Sequence, residues 1–334
     1  NEHTTEISHE MEVSIDAGNL VGKIYDAFYK QYNIPEPAKG KSDEDKEKRE
    51  KKLKSLNALC VRLVFCLYAE DTDIFGKRGV FHDYLAPIEV KDCRVALKRL
   101  FAVLDQKEEE RDEYLEPELA QFPYVNGGLF ADEIEIPPFT DEIKELILNE
   151  ASADFDWHDI SPTIFGAVFE STLNPETRRS GGMHYTSIEN IHKVIDPLFL
   201  DDLKNEFADI CAIPQQKKKD DALDSFQDKL ASLKFLDPAC GSGNFLTESY
   251  LSLRRLENKV LAEKNKGQVS MVFEKQGINP IKVSIQQFYG IEINDFAATV
   301  AKTALWIAES QMLEETKSIL IGFNEDFLPL KTYV

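Results

Sequence analysis

Between residues 237 and 246 the chain reads Asp237-Pro-Ala-Cys-Gly-Ser-Gly-Asn-Phe-Leu246, and this string limits what can be built around it. The short apolar run Leu233–Leu236 precedes it, and Phe245, Leu246, Tyr250, Leu253 and Leu256 follow at helical spacing. A strand therefore ends at Asp237, the glycines turn the chain, and a helix begins at about Asn244. Gly241 and Gly243 admit backbone conformations closed to residues with side chains and let a ligand approach the main chain. The first turn of the helix brings N–H groups that have no partner within it. Residues 287–293 then read as a second strand and 295–313 as another helix. The order β–loop–α–β–α is that of a doubly wound parallel sheet, so the fold class expected for this half is α/β and Rossmann-like.

The loop is not a phosphate binder of the usual kinds, since it matches neither GxGxxG nor GxxxxGK[ST]. It carries an acid, Asp237, where a phosphate site avoids one. An acid there suits the cationic amino and sulfonium groups of S-adenosylmethionine (SAM); the plainer alternative is a tight structural turn. The second strand runs Phe288-Tyr-Gly-Ile-Glu-Ile-Asn-Asp295 and places Glu292 at its end, where an acid accepts ribose hydroxyls. Ile293 would then lie against an adenine. Taken alone, Glu292 reads more readily as a surface carboxylate. Upstream, Arg178-Arg-Ser-Gly-Gly-Met-His-Tyr-Thr-Ser187 stands before a helix. By itself it is a turn and a cap, with Thr186-Ser-Ile-Glu189 as a capping box and Ile188, Ile191, Val194 and Ile195 along one side. His184 reads as a turn residue.

The preceding half has another character. Leu20, Ile24, Phe28 and Tyr32 recur at helical spacing, and a charge run from Lys39 to Lys54 reads as a solvated helix face or loop. Residues 56–70 are apolar nearly all round, as in a buried helix that ends near Gly76. Val95, Leu97, Leu100, Phe101 and Leu104 predict a further helix, whereas 107–140, rich in acids, Pro and Gly, reads as loop or linker, Tyr124–Phe130 included. Helical spacing returns at Ile143–Leu148 and at Ile164, Phe165, Val168 and Phe169. Lys217–Asp221 reads as a polar loop and Phe226–Leu233 as a short helix. The division expected from these patterns is a mostly helical domain over 1–150 and the α/β domain over 151–334.

Of 334 residues, 60 are Asp or Glu and 39 are Lys or Arg, a net charge of −21 that argues against a nucleic-acid surface on this chain alone. Cys60, Cys66, Cys93, Cys211 and Cys240 are scattered without a CxxC pair, which disfavours zinc and disulfides and fits a reducing cytoplasm. The histidines lack metal-ligand spacing. No apolar run is long enough for a membrane span, and no signal peptide is visible.

Three of these segments occur in a telling order: the Tyr185-Thr186 segment, then Asp237–Leu246, then Gly290–Asn294. In that order they resemble motifs X, I and II of the gamma-class N6-adenine DNA methyltransferases. Val61–Leu85, Tyr124–Phe130 and Ile164–Thr186 extend the resemblance to MmeI-like (type IIL) restriction–modification proteins, over about residues 15–330. That resemblance implies a helical spacer followed by a SAM-dependent methyltransferase, with double-stranded DNA as the partner of the intact protein. Tyr185 and Thr186 would close over the methionine end of SAM. Asp237, Ala239, Gly241 and Gly243 would form the loop around it, Glu292 would bind the ribose, and Ile293 the adenine.

The sequence departs from the family in one respect: no Asn-Pro-Pro occurs in it, so the catalytic Asn-Pro-Pro-Tyr/Phe string is absent. No catalytic residue is assigned, no metal is expected, and the domain is expected to be truncated before that motif. This chain alone is expected to bind SAM weakly or not at all, and not to methylate. The alternative is a non-catalytic or decayed methyltransferase-like module acting through protein interaction.

Overall fold

The computed structural model describes residues 2–35, 43–72, 74–125, 128–158, 160–163, 165–166, 186–266 and 280–320. The chain divides into two compact units, Asn1–His184 with Tyr333–Val334, and Tyr185–Thr332. The division falls beyond the boundary near 150 expected from sequence. Residues past 150 stay with the first unit because Trp157 is buried there. Its backbone N–H donates to Asp71 Oδ2 at 2.8 Å and its indole N–H to the Ala151 carbonyl at 2.7 Å.

The first unit contains α1 (Glu2–Tyr32), α2 (Asp43–Asp71), α3 (Val80–Leu85), α4 (Val90–Leu104), α5 (Pro117–Ala120) and α6 (Asp141–Glu145). The last of these widens into π-helical turns over Leu146–Ala153. Leu20, Ile24, Phe28 and Tyr32 form the buried stripe of α1, as their spacing predicts. The second half of α2 is buried on all sides, from Val61 through Ala69. On α4, Leu97, Leu100, Phe101 and Leu104 face inward, but Val95 is 54% exposed, because the helical repeat carries it off that stripe.

The stretch expected as a linker is part of this core. Leu119, Phe122, Val125, Leu129, Phe130, Ile136 and Phe139 are all buried. Arg62 on α2 captures the passing backbone, donating from Nε to the Leu129 carbonyl at 2.8 Å and from a terminal nitrogen to the Asp132 carbonyl at 2.7 Å. Its guanidinium also lies 5.4 Å and 5.5 Å from the ring centroids of Phe101 and Phe130. Apolar residues at irregular spacing give no helical or strand period, which is why the segment reads as linker in sequence.

The second unit begins with α7 (Ile188–Ile195), which runs through a π-helical turn (Asp196–Leu200) into α8 (Asp201–Cys211). Next come α9 (Gln216–Ser232), β1 (Phe235–Asp237), α10 (Asn244–Asn265), β2 (Phe288–Gly290) and α11 (Asp295–Ile319). Lys217–Asp221 is therefore not a loop but the exposed start of α9, whose Leu223, Phe226 and Leu230 are buried. The helix over Ile188–Ile195 is capped by Ser187, whose hydroxyl accepts the Asn190 N–H at 3.3 Å, one residue after the Thr186 cap expected. Ile191 and Ile195 are buried, but Val194 is 48% exposed.

The two strands pair in parallel with Phe235 opposite Phe288, Leu236 opposite Tyr289 and Asp237 opposite Gly290. The second strand is shorter than the expected 287–293: at its start Gln287 closes a 3-10 turn, its side chain donating to the Leu230 and Leu233 carbonyls at 2.9 and 2.8 Å, and after Gly290 the chain leaves the strand. The sequence-expected β–loop–α–β–α order is present, and the described sheet has two strands. One face is packed: Phe235 stacks on Phe288, Phe288 meets Tyr250 edge-on, and all belong to a core that includes Leu246 and Met312. On the other face Leu236 is 63% and Tyr289 47% exposed, as alternation along a strand requires.

A buried polar network ties α10 to its neighbours. Arg254 pairs with Glu257, and its other terminal nitrogen donates to Thr316 Oγ1 on α11 at 2.7 Å. Glu257 Oε1 accepts from Gln227 on α9 at 2.7 Å and from the Lys282 and Val283 backbone at 2.7 and 3.2 Å. Both charges are almost fully removed from water, so their stability depends on every one of these partners.

Candidate functional site

The carboxyl ends of β1 and β2 meet at the glycine loop. Main-chain pairing continues past the strands: Ile291 N–H donates to the Asp237 carbonyl at 2.9 Å, and Cys240 N–H to the Ile291 carbonyl at 3.1 Å. The Asp237 carboxylate accepts the Ala239 N–H at 3.0 Å, an Asx turn that sends the chain away from the strand. Gly241 and Gly243 take φ of 54° and 83°, the left-handed region where side chains are strained. The two glycines serve different ends. A Cβ on Gly243 would stand 2.8 Å from Ala301 Cβ, so this position lets α11 pack on the loop. A Cβ on Gly241 would meet nothing within 4 Å, so the loop is open on that side.

Glu292 is drawn into the loop. Its Oε2 accepts the Gly241 N–H at 3.0 Å and its Oε1 the Asn294 N–H at 2.8 Å. One carboxylate thus bridges the first loop and the turn after the second strand. The neighbouring Cys240 thiol is pushed up from its ordinary pKa by burial, and by the charges of Asp237 and Glu292. Gly290 matches it from β2, where a Cβ would stand 2.6 Å from Cys240 Sγ. Ala239 is exposed, Asp237 is partly exposed, and Ile293 is 97% exposed. A large aliphatic side chain therefore stands uncovered beside the acid-lined loop.

The sequence-predicted positions are placed as follows. Asp237, Ala239, Gly241, Gly243, Glu292 and Ile293 come together at the two strand ends. Thr186 is exposed directly before the cap of α7, and Tyr185 lies outside the described residues. Among the described residues no His/Cys/Asp/Glu group could hold a metal, and no helix is long and apolar enough to cross a membrane. All five cysteines are free.

One constellation was not read from the sequence. His192 on α7 lies between two carboxylates, with Nδ1 2.8 Å from Asp196 Oδ1 and Nε2 3.1 Å from Glu248 Oε1 on α10. Those hydrogen bonds raise its pKa above the ordinary histidine value, against a smaller opposing effect of burial. The i,i+4 spacing of His192 and Asp196 was a visible signal; Glu248, far along the chain, was not.

Comparison with known proteins supplies the class. Residues 213–333 match the family described as "MmeI, DNA-methyltransferase domain", and 54–130 match "MmeI, helicase spacer domain". The chain belongs to the MmeI-like family and contains a DNA-methyltransferase domain of that kind. It is 38% identical over 330 residues to DNA methyltransferase A of Bacillus subtilis (strain 168), covering 98% of this chain and 34% of that protein. It is also similar to the type IIL restriction–modification enzyme MmeI, whose structure was determined in complex with DNA. That match has a TM-score of 0.75 and 36% identity, and covers 95% of this chain and 39% of that one. The chain thus spans between a third and two fifths of these relatives.

Proposed function

We propose that the chain is the SAM-binding part of a site-specific DNA adenine-N6 methyltransferase of a restriction–modification system, with a Rossmann-like sheet built out from β1 and β2. The observation that carries the SAM site is the Glu292 bridge to Gly241. It holds an acid at the end of the second strand, beside a glycine loop that is open to a ligand and carries a second acid, Asp237. Such a pair suits a ligand with a cationic end and a ribose. When bound, SAM supplies an electrophilic methyl group on a sulfonium centre.

The chain's own residues position that group. Asp237 attracts the cationic end, and the backbone of Ala239 and Gly241 lies close to it. Gly243 keeps the loop short by seating α11. Glu292 accepts ribose hydroxyls with the lone pairs that Gly241 and Asn294 leave free. Ile293 covers the adenine, and Tyr185 and Thr186 close over the methionine end. Positioning and fixed electrostatics are the contribution expected of such a site. The adenine of double-stranded DNA would be flipped out of the helix to reach the methyl group. The groups that handle the base are proposed to lie in the part of such proteins that this chain does not span, so this chain alone does not methylate.

A calorimetric titration with SAM, with Asp237→Ala in parallel, tests this. The expected result is weak binding by the parent and at least tenfold loss in the variant. A variant that binds as the parent does would remove Asp237 from the site, and a folded parent with no heat of binding would mean that this chain alone does not complete it.

A further inference from the structure

We propose that the groove between α4 and α5 on the first unit is a docking site for a basic amphipathic helix from outside this chain, with an apolar side chain entering the groove and Lys or Arg meeting its acidic rim.

The groove encloses about 360 Å³. Tyr84 and Ile88 come to it from α3 and the turn that follows, Val95 and Ala96 from α4, and Leu119 from α5. Val95 is 54% exposed, although it is an apolar residue in the middle of a helix. A single exposed Val needs no explanation. One that borders Tyr84, Ile88, Ala96 and Leu119 extends an apolar patch, and such patches rimmed by polar groups mark sites of interaction.

Contacts within the unit shape the groove without an occupant. The Tyr84 hydroxyl donates to the Ala96 carbonyl at 3.0 Å and fixes α3 to α4. Arg99 on α4 pairs with Glu116, the residue that caps α5. A site formed in advance spares binding the cost of ordering it.

Charge selects the occupant. Asp92, Glu116 and Glu118 rim the groove. Arg99 is taken up by Glu116, whereas the Asp92 and Glu118 carboxylates have no ion pair or hydrogen bond among the described residues. From Glu108 to Glu118 the chain carries a single base, Arg111, and its guanidinium is turned to the Phe122 and Val103 carbonyls at 2.7 and 3.0 Å. The other bases of α4, Lys91, Arg94 and Lys98, fall on the opposite side of Val95 around the helix, since the groove takes positions 92, 95, 96 and 99. A rim of this sign repels nucleic acid, and it repels a second copy of a chain whose net charge is −21. The four α4 positions span about 10 Å along the axis. A helix laid beside them seats one apolar anchor and places cations one turn away, opposite the acids.

The probe is a fluorescently labelled helical Leu/Lys peptide of about four turns, titrated against the chain at about 0.15 M salt and followed by anisotropy. Saturable binding is expected, and a scrambled peptide of the same composition should bind about tenfold more weakly. Val95→Asp adds a negative charge but removes the apolar border, so it should weaken binding about tenfold, whereas attraction by charge alone would strengthen it. Asp92→Lys with Glu118→Lys should weaken binding at least about tenfold. Asp202→Lys with Asp209→Lys makes the same change of charge at exposed positions of the second unit and should alter affinity by less than about twofold. These two charge-reversed pairs carry the test if Val95→Asp does not fold. Absence of peptide binding would overturn the proposal, as would stronger binding by Val95→Asp, a scramble that binds as tightly, or equal losses in the two charge-reversed pairs. Concentration-dependent self-association of the chain in sedimentation, abolished by Val95→Asp, would also overturn it and give the groove to a second copy.

Discussion

The two units solve the same problem with different materials. The first is held by the second half of α2, buried on all sides, with aromatic residues of the 107–140 stretch packed into the same core. Its main polar device, Arg62, is used on backbone carbonyls, so it secures a chain path. The second unit puts a charged pair, Arg254 and Glu257, in its centre and leaves Leu236, Tyr289, Ile291 and Ile293 between 47% and 97% exposed around the strand ends. A core built only of apolar contacts tolerates drift in the relation of its helices. A core with a directional network does not, and a ligand site formed by a loop, a strand end and two helices requires that fixity. Apart from the groove beside Val95, apolar residues serve closure in the first unit and a surface open to binding in the second.

Removing Glu257 should break this contrast most severely. Glu257→Ala leaves buried Arg254 without its carboxylate and the Lys282 and Val283 N–H groups unsatisfied, so a loss of about 3–5 kcal/mol is expected in denaturant unfolding followed by a probe in the second unit. Phe130→Ala in the first unit should cost less in the same assay, about 3 kcal/mol, because it removes packing and no charge is stranded. If both fall alike without change in the other unit's transition, the difference in material carries no energetic weight.

Gly243→Ala should cost about 1–3 kcal/mol from backbone strain alone. It should also weaken SAM binding by pushing α11 off the loop, whereas Gly241→Ala should affect the site with less effect on packing. Thermal unfolding and calorimetry on the two variants separate these roles. Glu309 sharpens the comparison through pH. Burial raises its carboxyl to about 8, against an ordinary value of 4.5. The folded state therefore retains a proton that the unfolded state releases, and stability falls as pH rises from about 4.5 toward about 8. Glu309→Gln should flatten that slope and leave the protein more stable than the parent at neutral pH. The smallest effect belongs to Lys23→Ala. Its 2.6 Å pair with Glu150 is exposed on both sides, and a change below about 0.5 kcal/mol is expected.

What the sequence made legible follows from these materials. Helical periods are legible in α1 and α10, and the apolar half of α2 is legible from its unbroken apolar character. The glycine loop was legible because few residues satisfy a strand end, a left-handed turn and a helix start at once. The packed stretch around Tyr124–Phe130 was not, since its apolar residues answer to a surface that α2 and α4 create. The start of α9 reads as loop because Lys217–Asp221 is polar throughout, as the first turns of surface helices commonly are. The domain division near 150 missed Trp157, whose ties to Asp71 and Ala151 are tertiary. The candidate site residues themselves are legible from motif order; the Glu292–Gly241 and His192–Glu248 contacts are not, because each joins segments separated by about fifty residues or more.

The double duty of the Glu292 carboxylate has a thermodynamic consequence. Each oxygen is already committed to a main-chain donor, one in the loop and one in the following turn, so its rotamer is fixed before any ligand arrives. The entropy of orienting that side chain is thus settled during folding and is not charged again at binding. It also makes the two segments one cooperative element. Glu292→Ala should therefore loosen the glycine loop and the turn at Asn294 together, because both lose the same carboxylate acceptor.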